Sequence, residues 1–120
     1  AAEVIRAVKV RKRKVGIVIN PDTPVKDIAG VLELVDQVLV MTVHPGFYGS
    51  PFVPDALEKV TRLRKLMPQL AIEVDGGITD KTIVKAAEAG ANLFVSGSFI
   101  LRSDNPKKAF ALLSKLAGFY

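Results

Sequence analysis

The chain has 120 residues, of which 49% are hydrophobic and 24% charged, and its formal net charge is +5 at pH 7. This composition is typical of one globular domain and excludes a disordered chain. The lack of cysteine excludes a disulfide scaffold, a zinc ribbon and a thiol nucleophile. No apolar run approaches the roughly 20 residues of a membrane span, and the first residues show no hydrophobic signal region. We therefore expect a cytoplasmic protein without a membrane partner.

The positive charge is concentrated at the start of the chain. The basic residues of this segment are Arg6, Lys9, Arg11, Lys12, Arg13 and Lys14, against Glu3 alone. Such a cluster can bind nucleic acid or another polyanion, or it can be the solvated end of a helix that leads into a strand. Because no aromatic residues interleave with it and no nucleic-acid-binding pattern accompanies it, we favour the solvated helix end.

Short β-branched runs alternate with helical patterns along the chain. Residues 1–10 resemble the end of a helix, and the predicted strands are Val15–Ile19, Val38–Val43, Ala71–Asp75 and Leu93–Ser96. Each run is nearly continuous in apolar character, which is typical of strands that are covered on both faces.

Four helices are predicted after the strands. The first begins at Thr23 and Pro24 and carries apolar residues to Val35. The second carries an apolar stripe from Ala56 to Met67 and ends at Pro68, and the third runs from near Asp80 to Gly90, a usual residue after a helix. The fourth opens with Asp104-Asn105-Pro106 and carries Ala109, Leu112, Leu113 and Leu116.

The strand–helix alternation predicts right-handed βαβ units and a parallel sheet in a single α/β domain. We place residues 1–10 at the end of a preceding helix and four βα units in residues 14–120. Four parallel strands fit a small open sheet or half of a (β/α)8 barrel, since a whole barrel takes about 250 residues and at least about 200.

Ligands of parallel α/β folds bind at the carboxyl ends of the strands, where glycines are concentrated in this chain. Gly76-Gly77 and Gly97-Ser98 follow the last two strands, which is the usual phosphate site of a barrel. Glycine lets backbone N–H groups approach an anion, and it also permits tight turns without any ligand. Because two such loops follow adjacent strands, we predict phosphate binding here.

Asp75 closes the third strand directly before Gly76-Gly77. Strand alternation places Glu73 and Asp75 on one face and Ile72 and Val74 on the other. A carboxylate at the mouth of a sheet can act as a general base, as a metal ligand or as both, or it can cap the next helix. We favour the chemical role for Asp75.

His44 and Met41 lie near the end of the second strand. His44 is the only histidine, so the chain cannot form a histidine-rich metal site by itself; a polar contact with a neighbouring loop is the simpler interpretation. Met41 shares the level of Asp75 if the two strands are in matching register, and it is otherwise a core residue.

These segments together resemble the ribulose-phosphate 3-epimerase family over roughly residues 15–105. The similar segments are Asn20-Pro21 with Thr23-Pro24, Met41-Thr42-Val43-His44-Pro45-Gly46-Phe47 with Gly49, Glu73-Val74-Asp75-Gly76-Gly77-Ile78, and Ala89-Gly90-Ala91-Asn92 through Ser96-Gly97-Ser98. The third segment is shared by many phosphate-binding barrels, but together with the second it is specific.

The resemblance implies a ribulose-phosphate-binding (β/α)8 barrel that interconverts D-ribulose 5-phosphate and D-xylulose 5-phosphate. It implies that Asp75 is an acid/base group and a ligand of a divalent metal, commonly zinc or iron. It further implies that Met41 lines the site and that phosphate is held or its loops shaped at His44, Gly46, Gly49, Gly76, Gly77, Gly97 and Ser98.

The chain corresponds only to strands 5 to 8 of such a barrel. The family's other metal ligands and its second acid/base group belong to the first half, which is absent from this chain. Tyr48 and Ser50 also depart from the usual glycine and glutamine of the strand-6 loop, and Tyr48 adopts a positive φ less easily than glycine.

A (βα)4 half leaves two sheet edges unpaired and one face of each strand without its partner layer, so we expect self-association into a homodimer or a higher homo-oligomer. Three functions follow as hypotheses: a ketopentose-phosphate 3-epimerase, an inactive phosphate-binding half-barrel, and a polyanion-binding protein that uses residues 6–14. An epimerase acting on a hexulose phosphate would share the same motifs.

Overall fold

The computed structural model describes residues 2–45 and 50–118 of the chain. Its elements in chain order are α1 (Ala2–Val10), β1 (Gly16–Ile19), β2 (Gln37–Met41), α2 (Ala56–Leu66), β3 (Ala71–Asp75), α3 (Thr82–Ala89), β4 (Leu93–Val95), α4 (Ser98–Leu101) and α5 (Pro106–Leu116). The four strands pair in parallel in the order β1-β2-β3-β4. This architecture confirms the predicted parallel (βα)4 unit. None of the helices in the described ranges is long and apolar enough to cross a membrane.

One face of the sheet is sealed by helices. Val38, Val40, Ile72 and Val74 are completely buried in the core that the strands share with α2 and α3. The helices contribute Val60, Leu63, Ile83 and Ala86 to this core, and each of these side chains is also buried. The core therefore lies between the sheet and its helices, and burying it stabilises the parallel pairing.

The other face of the sheet is open, as expected for a half-barrel whose strands lack their partner layer. Val18 is 60% exposed, and Leu93 and Val95 are each 39% exposed. All three project from the face opposite to the helices, because β strands alternate their side chains and the register aligns these residues across the sheet. The apolar side chains on this face indicate a second layer, which the described residues of this chain do not provide.

The segment between β1 and β2 is not the α-helix that the sequence predicted. It forms two 3₁₀ turns, Val25–Asp27 and Ala29–Val31. Backbone N–H groups here donate to the carbonyl three residues earlier, as Ile28 does to Val25 at 3.0 Å. Gly30, a poor helix former, interrupts the run. The apolar residues at the ends of the segment are still buried.

The remaining helices begin and end near the predicted residues. Gly90 ends α3 with φ +122°, and a Cβ at this position would lie 2.8 Å from Cβ of Arg64. The side chain of Asn105 caps α5 by accepting from the N–H of Lys108 at 3.1 Å. The four-residue helix α4 was not predicted from the sequence.

An ion pair fixes α1 to the start of β2. Lys9 Nζ lies 2.8 Å from Oδ2 of Asp36, which also accepts from the N–H of Val15 at 2.7 Å. The hydrogen bond from Lys9 and then the one from Val15 hold the pKa of Asp36 below its ordinary value. The ionised carboxylate is thus favoured in the folded state.

Removing this ion pair should weaken the fold in a pH-dependent way. Because the pKa of Asp36 is lowered on folding, its stabilisation is present above the ordinary Asp value of about 3.9 and is lost as the pH falls through the folded value. We expect Lys9→Met to lower the melting temperature at pH 7, with the difference from the native chain shrinking at acid pH. Lys85→Met, on exposed α3 surface, is the control. A difference that stays constant down to acid pH would contradict this assignment.

Candidate functional site

The carboxyl ends of the strands bring Met41 and Asp75 side by side. The register pairs Met41 with Asp75 and Asp75 with Val95, so one row crosses the last residues of three strands. Glu73 lies one row deeper, between Leu39 and Leu93. Such rows of inward-facing residues are the layers of a parallel barrel.

The carboxylate of Asp75 belongs to the open face of the sheet. Ile72 and Val74 are fully buried on the helix side, whereas Glu73 and Asp75 are half-buried on the other side. The alternation predicted from the sequence is therefore confirmed. Asp75 takes no part in either ion pair found within the described residues, which leaves its carboxylate on the open face for a ligand.

Asp75 does not cap the following helix, so that alternative was wrong. The start of α3 is organised by two threonines, with the N–H of Thr79 donating to Oγ1 of Thr82 at 2.8 Å and the N–H of Thr82 donating to Oγ1 of Thr79 at 3.4 Å. Asp75, the last residue of β3, is held through its backbone, because its carbonyl accepts from the N–H of Thr42 at 2.9 Å.

The Gly76-Gly77 turn requires glycine for steric reasons. Gly76 has φ +123°, and a Cβ there would lie 2.6 Å from Cγ2 of Val43. Gly77 has φ +69°, and its Cβ would lie 3.0 Å from Cβ of Phe52. Without a Cβ at either residue, a ligand can approach the backbone N–H groups of the turn closely. The turn conformation therefore accounts for both glycines and is compatible with an anion.

Gly97 and Ser98 form the start of the short helix α4. Gly97 precedes the helix and Ser98 is its first residue; both are exposed. A short extra helix after the last strand frequently takes part in the phosphate site of (β/α)8 barrels. Unlike Gly76 and Gly77, Gly97 has nothing within 4 Å of an added Cβ, so packing within the described residues does not require glycine there.

His44 lies beside the loop that follows β1. Its Nδ1 is 3.6 Å from Oδ2 of Asp22, and both side chains are at least half exposed. An exposed pair of this kind contributes little to stability. The contact matches the simpler interpretation of His44 as a polar residue at a strand end. Gly46 and Gly49 lie outside the described residues.

The described residues of this chain do not form a complete binding site for the divalent metal that the resemblance implies. The described ranges 2–45 and 50–118 contain no group of three or more His, Asp or Glu side chains that could hold an ion. Asp75 can supply one carboxylate ligand, whereas zinc needs about four ligands in total. The described residues therefore provide one metal ligand and not a complete metal site.

The basic segment lies at the opposite end of the sheet from Asp75. Residues 11–14 precede β1 and are exposed, so they approach the amino ends of the strands. Lys9 is paired with Asp36, and Arg11 donates to the carbonyl of Ala7 at 3.1 Å. These contacts suit the solvated end of a helix, and polyanion binding gains no further support.

Sequence reasoning did not single out three hydroxyl residues that hold the Gly76-Gly77 turn. Thr42 and Thr82 donate hydrogen bonds to the carbonyls of Gly76 and Gly77, and Ser96 donates to the carbonyl of the next residue, Ile78. Thr42 is completely buried. A polar residue at the end of an apolar run is the one signal in the sequence that indicates such a role.

The parallel four-stranded sheet, with the carboxylate of Asp75 at the carboxyl ends of its strands, corresponds to half of a (β/α)8-type barrel. The chain belongs to the ribulose-phosphate 3-epimerase family, whose model matches residues 1–101. It is 44% identical over 116 residues to the cytoplasmic isoform of ribulose-phosphate 3-epimerase from Oryza sativa, covering 94% of this chain and 51% of that protein. It is 41% identical over 119 residues to the ribulose-phosphate 3-epimerase of Mycobacterium bovis, covering 96% and 52%.

Solved structures agree on the fold. 3-Hexulose-6-phosphate synthase from Salmonella typhimurium matches with a TM-score of 0.67 and 23% identity, covering 94% of this chain and 53% of that one. A chain of the BexX/CysO complex from Amycolatopsis orientalis matches with a TM-score of 0.71 and 22% identity, covering 96% and 46%. The chain spans about half the length of the two ribulose-phosphate 3-epimerases named above.

Proposed function

We propose that this chain carries the phosphate-binding half and one acid/base group of a ribulose-phosphate 3-epimerase site. The observation that carries the proposal is the placement of Asp75 beside Met41 at the strand ends, directly before the Gly76-Gly77 turn, in a chain of this family. The substrate is a ketopentose 5-phosphate. Its phosphate is held by the turns at Gly76-Gly77 and Gly97-Ser98, with Met41 against the sugar chain.

Asp75 performs the proton transfer at C3 of the sugar. The C3 hydrogen is acidic because it adjoins the C2 carbonyl. The carboxylate of Asp75 takes the proton, and the electron pair of the C3–H bond forms a C2–C3 double bond while the carbonyl oxygen becomes an enediolate oxygen. Return of a proton to the opposite face of C3 inverts the centre. That return requires a second acid on the other side of the sugar.

A second copy of the chain is the proposed source of that acid. Val18, Leu39, Met41, Leu93 and Val95 line the open face of the sheet, and both edge strands, β1 and β4, lack a further neighbour within the described residues. A twofold axis that runs along the barrel axis, in front of the open face, would join β4 of each copy to β1 of the other in parallel, which closes eight strands. The two Asp75 carboxylates would then lie on opposite sides of one mouth.

A charge on the open face should prevent this assembly. We expect the native chain to sediment as twice its 12.9 kDa mass and Val18→Glu to sediment as one chain, because the dimer would bury an unpaired carboxylate. Leu66→Glu is the matched control, since Leu66 is 53% exposed at the end of the outer helix α2 and Val18 is 60% exposed. A native chain that sediments as a monomer would refute the dimer.

Deuterium exchange tests the proposed chemistry directly. D-ribulose 5-phosphate incubated with the chain in D2O should lose its C3 proton signal, and xylulose 5-phosphate should accumulate. Binding of the sugar phosphate without exchange would instead support the inactive phosphate-binding half-barrel. A hexulose 6-phosphate run in parallel decides between pentose and hexose specificity.

The divalent metal, zinc or iron, and the cytoplasmic location remain predictions. For the metal, the incubations in D2O are run with and without each ion. For the location, the support is the resemblance to the rice protein, which is named as a cytoplasmic isoform.

A further inference from the structure

Three successive carbonyls of the turn after Asp75 are each bound by a hydroxyl from a different part of the fold. Oγ1 of Thr42 donates to the carbonyl of Gly76 at 2.5 Å, and Oγ1 of Thr82 donates to the carbonyl of Gly77 at 2.7 Å. Oγ of Ser96 donates to the carbonyl of Ile78 at 2.8 Å. The hydroxyls come from the residue after β2, the first residue of α3 and the residue after β4.

We propose that Thr42, Thr82 and Ser96 are positioning residues that set the turn Gly76–Ile78 for its ligand. The proposal rests on the proposed function, because the ligand is the phosphate group of the sugar. Turn stability alone does not require anchors on two neighbouring strands and a helix. Together the three anchors tie the turn to each element that surrounds the carboxyl end of β3.

Thr42 fixes the backbone on both sides of the Asp75–Gly76 peptide bond. Its N–H donates to the carbonyl of Asp75 at 2.9 Å while its hydroxyl binds the carbonyl of Gly76. Its side chain is completely buried, so neither bond exchanges readily with water. The carboxylate-bearing residue and the turn are thereby locked to the end of β2, beside Met41.

Peptide planarity converts these carbonyl anchors into an orientation of N–H groups. In a trans peptide the C=O of one residue and the N–H of the next point in opposite directions. Anchoring the carbonyls of Gly76 and Gly77 therefore directs the N–H groups of Gly77 and Ile78 away from Thr42 and Thr82. The next N–H, that of Thr79, is already bound to Thr82 at 2.8 Å. The N–H groups of Gly77 and Ile78 are thus the pair that the anchors set for a phosphate oxygen.

The test compares variants that lose a hydroxyl with variants that keep it. The losses are Thr42→Val, Thr82→Val and Ser96→Ala, and the matched retentions are Thr42→Ser, Thr82→Ser and Ser96→Thr. Thr61→Val is the external control, because Oγ1 of Thr61 binds the carbonyl of Leu57 at 3.2 Å within α2. The full chain is titrated with inorganic phosphate, and the amide NMR signals of Gly77 and Ile78 are recorded without and with it.

Each loss of a threonine hydroxyl should weaken phosphate binding about tenfold. It should also move the amide NMR signal of the residue that follows the carbonyl which that hydroxyl binds. Thr42→Val should move Gly77, and Thr82→Val should move Ile78. The serine variants should restore affinity to within about twofold, and Thr61→Val should change only the melting temperature. If the hydroxyls were merely structural, every variant that loses one would have a lower melting temperature. The amide signals of Gly77 and Ile78 would then not move separately in Thr42→Val and Thr82→Val.

Two outcomes overturn the inference: unchanged Gly77 and Ile78 signals in Thr42→Val and Thr82→Val, or an equal loss of phosphate affinity in Thr61→Val. If the native chain binds no phosphate, the phosphate half of the proposed function fails, and the ligand-free amide signals still judge the positioning role. If Thr42→Val does not fold, Thr82→Val decides, since its side chain is only partly buried.

Discussion

Asp75→Asn should lower the rate of ribulose 5-phosphate epimerisation by a factor between about 10² and 10⁴, the usual contribution of a positioned acid/base group. Asparagine keeps the shape of the side chain but cannot accept the C3 proton at neutral pH. The dissociation constant of the sugar phosphate should stay nearly unchanged, because the phosphate turns lie beyond this side chain. Turnover is measured by conversion to xylulose 5-phosphate, and binding by calorimetry.

Glu88→Gln is the matched control for this loss of a carboxylate. Glu88 is exposed in the last turn of α3, at the end of the unit opposite to Asp75, so its neutralisation should leave turnover unchanged. Equal activity of the native and Asp75→Asn chains would show that the proton is carried elsewhere. Loss of sugar-phosphate binding in Asp75→Asn would mean that the carboxylate shapes the site rather than performing the chemistry.

Gly76→Ala should destabilise the fold by roughly 3 kcal/mol, since it combines backbone strain with overpacking. A Cβ at Gly76 would lie 2.6 and 2.8 Å from the two methyl carbons of Val43 and 3.0 Å from its backbone nitrogen. The methyl groups of Val43 can move by side-chain rotation. Its backbone nitrogen cannot move unless the loop that follows β2 shifts. The φ of +123° is unfavourable for alanine in addition. Urea unfolding of the two chains measures the difference.

Gly30→Ala is the control for this substitution. Gly30 has nothing within 4 Å of an added Cβ and lies in a 3₁₀ turn, so alanine there should be neutral or stabilising by up to about 1 kcal/mol. If Gly76→Ala unfolds at the same urea concentration as the native chain, the turn has a different backbone conformation. The N–H groups of Gly77 and Ile78 would then not be oriented as proposed.

Local sequence patterns were sufficient for most of the elements. Ala71–Asp75 was predicted to the residue, because its apolar run is bounded on both sides by turn-forming residues. The α-helix predicted after Thr23 was wrong, because its apolar spacing suits α and 3₁₀ geometry alike over so short a segment. The short helix α4 was missed because four residues are too few to show helical periodicity.

The site was predictable where it depends on strand periodicity, and unpredictable where it depends on distant neighbours. Period-two alternation placed Asp75 on the face opposite to Val74, whereas the register that pairs it with Met41 had to come from the structure, because parallel order alone does not fix register. The hydroxyl anchors connect residues that are 34, 5 and 18 positions apart, a relation that no local pattern contains. The open face was predictable from the number of strands, because a four-stranded half of a barrel leaves one face of each strand without its partner layer.

Two copies of this half-barrel are proposed to form one epimerase site. The most direct test measures turnover of D-ribulose 5-phosphate per chain across a dilution series in which sedimentation gives the dimer fraction of each sample. We predict that turnover per chain rises in proportion to the dimer fraction, because each active mouth needs an Asp75 from both copies. Turnover per chain that stays constant while the dimer dissociates, or no turnover in fully paired chains, would contradict the account.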